Sequence, residues 1–517
     1  MGTQRPQRAL VPLASGVLLA AATPPAPSPL LPFVALVPLA VYLMGTRTEA
    51  RAALAAIRAG MLAGAVQHSW GLRWLPFTLT AVAGPAVGWL VFAAVLGLLA
   101  GATGAAAWGT HRLLTGRRPL PVALALPITW TALEWGLAHL PFGLAFPWSP
   151  LGLGLARWPE MLGPAELIGV GGVTAWLACV NGLLAVSVNR ASVSLRARGA
   201  GMALVPGAAA LLVGVLPVTW GFTRASTLSG EVAPPPVGRV TAVALAVPPG
   251  VADLDWTATA VDAAERALGG LAEGPTDLVV LPEMTVAVDP ASPTGESQVE
   301  RLRDRAAQLG VPLLVGTLGV EDGRQFNSAV LLSGDGIGAF RADKRHLVPG
   351  VERAAVVRAP WLAPVGSGGY SPGDRWPVAT VGPLRVGVLL CYEVAFGEDA
   401  RALVRNGANA LAALTSDAWF GGGSGARGAG IAQQMAHLAV RVVETRVGAV
   451  RASNGGPAAL FGLAGREEGR AAPGLVVGAV HAVPRQTLFV RTGDLAGPLS
   501  AFTLLLLLAL RCRARHR

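Results

Sequence analysis

The stretch Arg385-Val386-Gly387-Val388-Leu389-Leu390-Cys391-Tyr392-Glu393 decides how the chain is read. Its apolar run is short and nearly continuous, which is the pattern of a strand buried on both faces. It ends on a cysteine, and the helical pattern of residues 396–407 follows. A cysteine leaving an apolar strand just ahead of a helix is placed to act as a nucleophile, because helix N–H dipoles and a nearby cation favour its thiolate. The same residue read blandly is a small core side chain, so its partners must be sought at other strand ends.

Two other strand ends carry reactive groups. Asp277-Leu278-Val279-Val280-Leu281 runs into Pro282-Glu283, and Arg341-Ala342-Asp343 precedes Lys344-Arg345-His346. A glutamate within reach takes a thiol proton, and a lysine steadies the oxyanion of a tetrahedral intermediate. Of the 41 lysines and arginines, Lys344 alone is a lysine. A compact ammonium whose pKa can shift is what arginine cannot supply. Cys179 lies in an apolar helix and Cys512 in a basic tail, so Cys391 is alone in its region and no disulfide framework is implied.

Around these residues strands and helices alternate. Strands are expected at 239–247, 277–282, 312–317, 327–333, 384–390, 409–414, 448–453 and 457–461, and helices at 257–272, 297–309, 396–407 and 429–446. That alternation indicates an α/β domain, entered through the linker Pro234-Pro235-Pro236.

The rest of the chain is of another kind. The composition is 52% hydrophobic and 14% charged, against about 25% charged in ordinary soluble domains, which points to a membrane part. Apolar segments at 9–22, 29–45, 56–78, 84–107, 119–138, 163–188 and 201–222, with an eighth at 495–511, each approach the length that spans a bilayer. Arginine recurs in every second connection: Arg5 and Arg8; Arg47, Arg51 and Arg58; Arg112, Arg117 and Arg118; Arg190, Arg196 and Arg198; Arg511, Arg513, Arg515 and Arg517. The intervening loops 23–28, 79–83 and 139–162 carry only Arg157. This is the positive-inside pattern. It puts both termini in the cytoplasm and residues 223–494 on the extracytoplasmic side. Ala20-Ala21-Ala22 also fits a signal-peptide cleavage site, but cleavage would break the even count of spans. The net charge of +11 belongs to these membrane-flanking arginines, which argues against a nucleic-acid partner and suits anionic lipid head groups. The seven histidines lack ligand spacing, so neither metal nor cofactor is expected.

Taken in order, Glu283, Lys344 and Cys391 resemble the Glu–Lys–Cys triad of the nitrilase superfamily over residues 239–484. With the eight membrane segments the resemblance narrows to the apolipoprotein N-acyltransferase family and extends over nearly the whole chain. Leu281-Pro282-Glu283, the run Lys344 to Glu352, Cys391-Tyr392-Glu393, and Ser416-Asp417-Ala418-Trp419-Phe420-Gly421 are similar to family motifs. So are Trp70-Gly71-Leu72-Arg73-Trp74, Phe146-Pro147-Trp148, and Thr487, Arg491, Gly493 and Asp494. The resemblance implies a multi-pass α-helical membrane domain (1–222), a linker (223–238), an α/β nitrilase-like αββα sandwich (239–484), and a return segment with the eighth helix and basic tail (485–517).

It also implies an acyl transfer from a glycerophospholipid, through a Cys391 thioester, to the α-amine of a diacylated apolipoprotein, by a chain working as a monomer. Glu283 is then the base and Lys344 the oxyanion partner, with the backbone N–H of Tyr392. Glu352 and Glu393 become carboxylates that orient Lys344 or the amine, and Trp256 and Asn327 fall at site positions. Trp419 and Phe420 are expected at an acyl-binding mouth, and Gly421-Gly422-Gly423-Ser424-Gly425 is expected to be a mobile lid. Val247, Gly350-Val351 and the single asparagine of Ser453-Asn454-Gly455-Gly456 depart from the family pattern without touching the triad. The rival readings are a membrane-tethered amidase or carbamoyl hydrolase, and a transporter or scaffold, for which Glu134 and Glu166 are the intramembrane acids of interest. The topology predicts that a lone cysteine placed at Thr115 is labelled by an impermeant maleimide only from the cytoplasmic side; labelling from outside would contradict it.

Overall fold

The computed structural model describes residues 4–46, 51–115, 118–197, 204–230, 233–248, 253–271, 276–352 and 369–513. Arg47, Arg117, Arg198, Arg515 and Arg517, used above, lie outside them.

The membrane part comprises α1 (Gln4–Ala22), α2 (Val37–Gly45), α3 (Ala52–Gly71), α4 (Leu75–Ala83), α5 (Pro85–Leu114), α6 (Val122–Ala138), α7 (Ala165–Ala197) and α8 (Leu204–Ser229), with α14 (Ala496–Arg513) returning at the end. Among the described residues, four helices are long and apolar enough to cross a bilayer: α5, α8, α14 and the 165–192 part of α7. Their outward faces are apolar where they meet no protein, as at Leu90, Leu98, Leu211, Leu216, Phe502 and Leu505. In water such a surface would drive association; in lipid it is matched. Helices α3 and α5 approach closely through small residues. A Cβ at Gly60 would stand 2.6 Å from Ala107 Cβ, and one at Gly64 would stand 2.6 Å from Thr103 Oγ1, the small-residue packing typical of bilayers.

The segment expected at 56–78 is two helices. Pro76 sits in the first turn of α4, where its ring would clash with the carbonyl four residues back if α3 simply continued. Arg73 fills the break, donating to Trp70 O at 2.9 Å and lying 4.4 Å over the Trp70 ring. Glu134 and Glu166 are packing groups. Glu134 accepts from Trp130 Nε1, Leu151 N and Thr174 Oγ1, and Glu166 pairs with Arg224 and Arg446.

The second part holds β1 (Pro236–Leu245), α9 (Asp253–Gly269), β2 (Leu278–Val280), α10 (Pro293–Leu309), β3 (Leu313–Glu321), β4 (Arg324–Ser333), β5 (Gly336–Asp343), β6 (Val378–Val381), β7 (Leu384–Leu390), α11 (Gly397–Arg405), β8 (Ala410–Ser416), α12 (Ser424–Thr445), β9 (Ala449–Asn454), β10 (Ala458–Phe461), β11 (Glu467–Ala471), β12 (Gly474–His481) and α13 (Leu488–Thr492). The strand order is β5-β4-β3-β2-β1-β9-β8-β7-β6, with β12 on β1, and β10 and β11 beyond β9. The β1–β9 pairing is confined to Ala244–Ser453 and Leu245–Asn454, so two half-sheets fold face to face about that seam. Alternation along the strands then sorts the core into layers. Val240, Ala242, Leu278, Val388, Leu390 and Ala412 meet between the half-sheets. Val243, Val279 and Leu313 face α9 and α10, while Leu389, Leu411 and Ala413 face α11 and α12. This is the expected αββα sandwich. Strands β5, β6, β11 and β12 were not expected.

The two parts share α12. Its Met435, Leu438 and Val442 pack in the sandwich, while Ala436, Val440 and Val443 lie in the membrane core. Between those faces, fully buried Gln433 accepts from Trp74 Nε1 at 3.0 Å and Trp148 Nε1 at 2.6 Å, and donates to Pro24 O at 3.1 Å and Gly71 O at 2.7 Å. Four hydrogen bonds exhaust an amide side chain. Further along, Glu444 Oε1 caps Val170 N at 2.8 Å, just past the non-helical Gly169 (φ 67°) of α7. Gln433→Leu strands two indole donors and two carbonyls in a dry junction, each costing about 1–3 kcal/mol. A markedly lowered unfolding temperature in detergent is expected; an unchanged one would contradict the role given to Gln433.

Candidate active site

Reactive side chains gather at the carboxyl ends of β2, β5 and β7. Glu283 follows β2 in a turn whose next residue, Met284, has φ 52°. Gly316 of β3 makes room for that turn, because a Cβ there would stand 2.5 Å from Pro282 O and 2.6 Å from Glu283 Cα. Lys344 directly follows β5, its N–H bonded to Asn327 O of β4 at 2.8 Å. Antiparallel pairing thus sets Asn327 and Lys344 side by side.

Lys344 Nζ is 2.9 Å from Glu283 Oε1 and 2.8 Å from Glu352 Oε1. Asn327 Nδ2 donates to the same two oxygens at 2.8 and 2.9 Å. The other oxygen of each carboxylate is also fixed: Glu283 Oε2 accepts from Ser416 N at 3.0 Å, and Glu352 Oε2 from Val348 N at 2.8 Å. Only 1% of Lys344 is exposed. Burial opposes its charge, but Glu283 and Glu352 prevail and hold its pKa well above the ordinary lysine range. The ammonium is therefore a permanent local cation.

Cys391 is half-buried and has φ 49°, a left-handed conformation rare for a side chain with a Cβ. Strain of this kind costs about 1–3 kcal/mol and persists where the surroundings enforce it. Leu390 N and Arg345 N both donate to Glu393, at 2.7 and 2.6 Å, which clamps the cysteine turn to the lysine segment. Burial pushes the Cys391 thiol up to about 12, Glu283 adds to the rise, and Lys344 and Thr415 oppose it. At neutral pH the resting sulfur is a thiol, so attack requires a base.

The structure brings together Glu283, Lys344, Asn327 and Glu352, and sets Cys391 in their electrostatic range. The other candidates lie around this group. Glu393 does not reach the Lys344 side chain, because both its oxygens are taken by backbone N–H groups. Trp256 donates to Met284 O at 2.9 Å, bracing the Glu283 turn. The Tyr392 side chain points to the membrane part, its hydroxyl donating to Ala145 O at 2.9 Å and its ring stacked 5.8 Å from Trp148. Trp419 is 56% exposed and suits a mouth. Phe420 is buried against Trp74, with ring centroids 4.8 Å apart, so it is junction core. The glycine run is no free lid: Gly421 N donates to Thr78 Oγ1 at 3.2 Å, and α12 already begins at Ser424. Gln433 and Gln434 were missed. Two adjacent amides inside an apolar helical pattern are the signal that marks them.

Residues 15–183 match the apolipoprotein N-acyltransferase N-terminal domain, and residues 242–452 match the carbon-nitrogen hydrolase domain. An apolipoprotein N-acyltransferase of Geobacter metallireducens is 32% identical over 86% of this chain and 84% of its own length. The chain belongs to the apolipoprotein N-acyltransferase family. A second relative of that name, from Gloeobacter violaceus, is 30% identical over 98% of this chain and 95% of its own. An amidase structure from Nesterenkonia sp. aligns to 52% of this chain and 99% of its own, at 22% identity and a TM-score of 0.37. The protein is thus a membrane acyltransferase, and the cysteine turn and the buried lysine are where its chemistry is to be sought.

Glu283 raises the thiol pKa and is the base that the sequence points to, so Glu283→Gln separates the two effects. Removing the negative charge should lower the Cys391 pKa from about 12 and speed alkylation by a small reagent at a fixed mildly alkaline pH. Acyl transfer should fall about 10²- to 10⁴-fold for want of the base. Slower alkylation, or near-normal transfer, would contradict the assignment.

Proposed function

We propose that this chain moves an acyl group from a glycerophospholipid, through a thioester on Cys391, to the α-amine of the N-terminal diacylglyceryl-cysteine of apolipoproteins. The relatives' name, apolipoprotein N-acyltransferase, supports the acceptor class. In the first half-reaction Glu283 takes the thiol proton and Sγ attacks the ester carbonyl. The oxyanion forms beside Lys344, the C–O bond breaks, and the proton leaves with the glycerol oxygen as lysophospholipid. In the second half the α-amine attacks the thioester and passes a proton by way of Glu283 to the departing sulfur. The enzyme returns to its starting state and the product is an amide.

One observation carries the choice of a lipid donor. The turn bearing the nucleophile is seated on the membrane part, with Tyr392, Phe396 and Phe420 in one apolar cluster with Leu72, Trp74, Phe92 and Trp148. A phospholipid ester at the bilayer surface meets such a site without extraction, whereas a small polar amide needs no such seat. We further read the domain division given above, a sandwich outside the cytoplasmic membrane, both termini inside, and a working monomer.

The test uses full-length protein in detergent with phospholipid and a diacylated lipopeptide. Cys391→Ala should abolish triacylation. Lys344→Arg should cut it about 100-fold or more despite the kept charge, because a planar guanidinium cannot sit between the two carboxylates as the ammonium does. Triacylation by Cys391→Ala, or near-normal turnover by Lys344→Arg, would overturn the proposal.

A further inference from the structure

Beneath the cysteine turn lies a buried network that the triad does not include. Gln434, one residue beyond the junction amide on α12, is 2% exposed, and its Nε2 stands 3.2 Å from Cys391 Sγ. Its Oε1 accepts from Thr415 Oγ1 at 3.1 Å and from Arg451 Nη2 at 2.9 Å. Arg451, at 1% exposure, is held in turn by Asp417 at 2.7 and 2.6 Å and by Pro457 O at 2.6 Å. Ser453 Oγ donates to the same aspartate at 2.7 Å.

The chemistry of the donors fixes the amide. A guanidinium only donates, so the Gln434 atom facing Arg451 must be the carbonyl oxygen. The amide is planar, so its NH₂ then has to face the sulfur. Turning it over would set NH₂ against the guanidinium and leave a carbonyl dipole against a developing thiolate. The ion pair of Arg451 with Asp417 keeps that orientation from changing as the sulfur gains and loses charge.

We propose that Gln434 is a catalytic residue whose Nε2–H hydrogen bond stabilises the Cys391 thiolate, both when the sulfur attacks the donor ester and when it leaves the thioester. The inference rests on Cys391 being the nucleophile. The amide gives up no proton: the thiol proton still goes to Glu283 and leaves with the glycerol oxygen, and the amine proton still returns to sulfur. Gln434 supplies a neutral, oriented donor without adding a second cation beside Lys344. A hydrogen bond to a charged acceptor is worth about tenfold or more in the charged form.

The experiment uses full-length protein in detergent, with Cys179 and Cys512 replaced by serine. The pH dependence of Cys391 alkylation by iodoacetamide and the single-turnover rates of both half-reactions are followed by intact mass. Gln434→Leu should slow alkylation at mildly alkaline pH about tenfold and slow both half-reactions by a similar factor, with KM for phospholipid unchanged. Gln434→Glu keeps the shape and the oxygen facing Thr415 and Arg451 but loses the donor; it should slow alkylation at least as much, and it carries the test if the leucine variant does not fold. A merely structural role would lower stability or shift KM and leave the alkylation profile in place. The proposal is overturned if a folded Gln434→Leu or Gln434→Glu alkylates and acylates within about twofold of the parent while Cys391→Ala is inactive. Transfer by Cys391→Ala would instead overturn the assignment of the nucleophile.

Discussion

A buried ammonium must be neutralised where it stands, and the arrangement around Lys344 follows from that requirement. Leaving one charge of a buried pair alone costs several kcal/mol, so Lys344 is met by two carboxylates whose remaining oxygens are pinned by backbone N–H groups. Two carboxylates around one ammonium leave an excess negative charge beside Cys391. Burial first, and the Glu283 charge after it, raise the thiol pKa and keep the sulfur protonated at rest.

A second requirement comes from the substrate that the family acts on. The dry, charged site must stay registered against helices immersed in lipid, and α12 meets that need with consecutive side chains. Gln433 spends every hydrogen bond it has on the membrane part, and Gln434 turns to the sulfur. Neighbouring residues on a helix diverge by about 100°, so one rigid element holds the two environments in fixed relation. Tyr392 adds a tie from the cysteine turn itself, through its bond to Ala145 O.

What the sequence reveals follows from where side chains leave their elements. Glu283 and Cys391 stand where a nearly continuous apolar run stops at a reactive group, and Lys344 and Glu352 are marked by the lysine segment itself. The sandwich strands that are buried on both faces are plain for the same reason. Strand β5 is broken by Gly336 and Gly338, and β11 carries Glu467, Glu468 and Arg470, so neither shows the pattern that burial imposes; each forms by pairing with a neighbour. The split of 56–78 turns on Pro76, which bilayer helices often tolerate, so hydropathy alone cannot place the break. Glu393 sits beside the cysteine in sequence, but its partners are backbone groups from two separated segments, which no motif reports. The locked orientation of Gln434 depends on Thr415 and Arg451, distant in the chain and joined only by the pairing of β8 with β9.

The central claim is that a thioester on Cys391 waits for an amine rather than for water. It is tested most directly by incubating the full-length protein with phospholipid alone, recording its intact mass, and then adding a diacylated lipopeptide. The account predicts a hydroxylamine-labile acyl adduct on Cys391 that accumulates without acceptor and discharges when the lipopeptide is added, which gains the third chain. No adduct, or one that discharges to free fatty acid as fast without the lipopeptide as with it, would contradict the account.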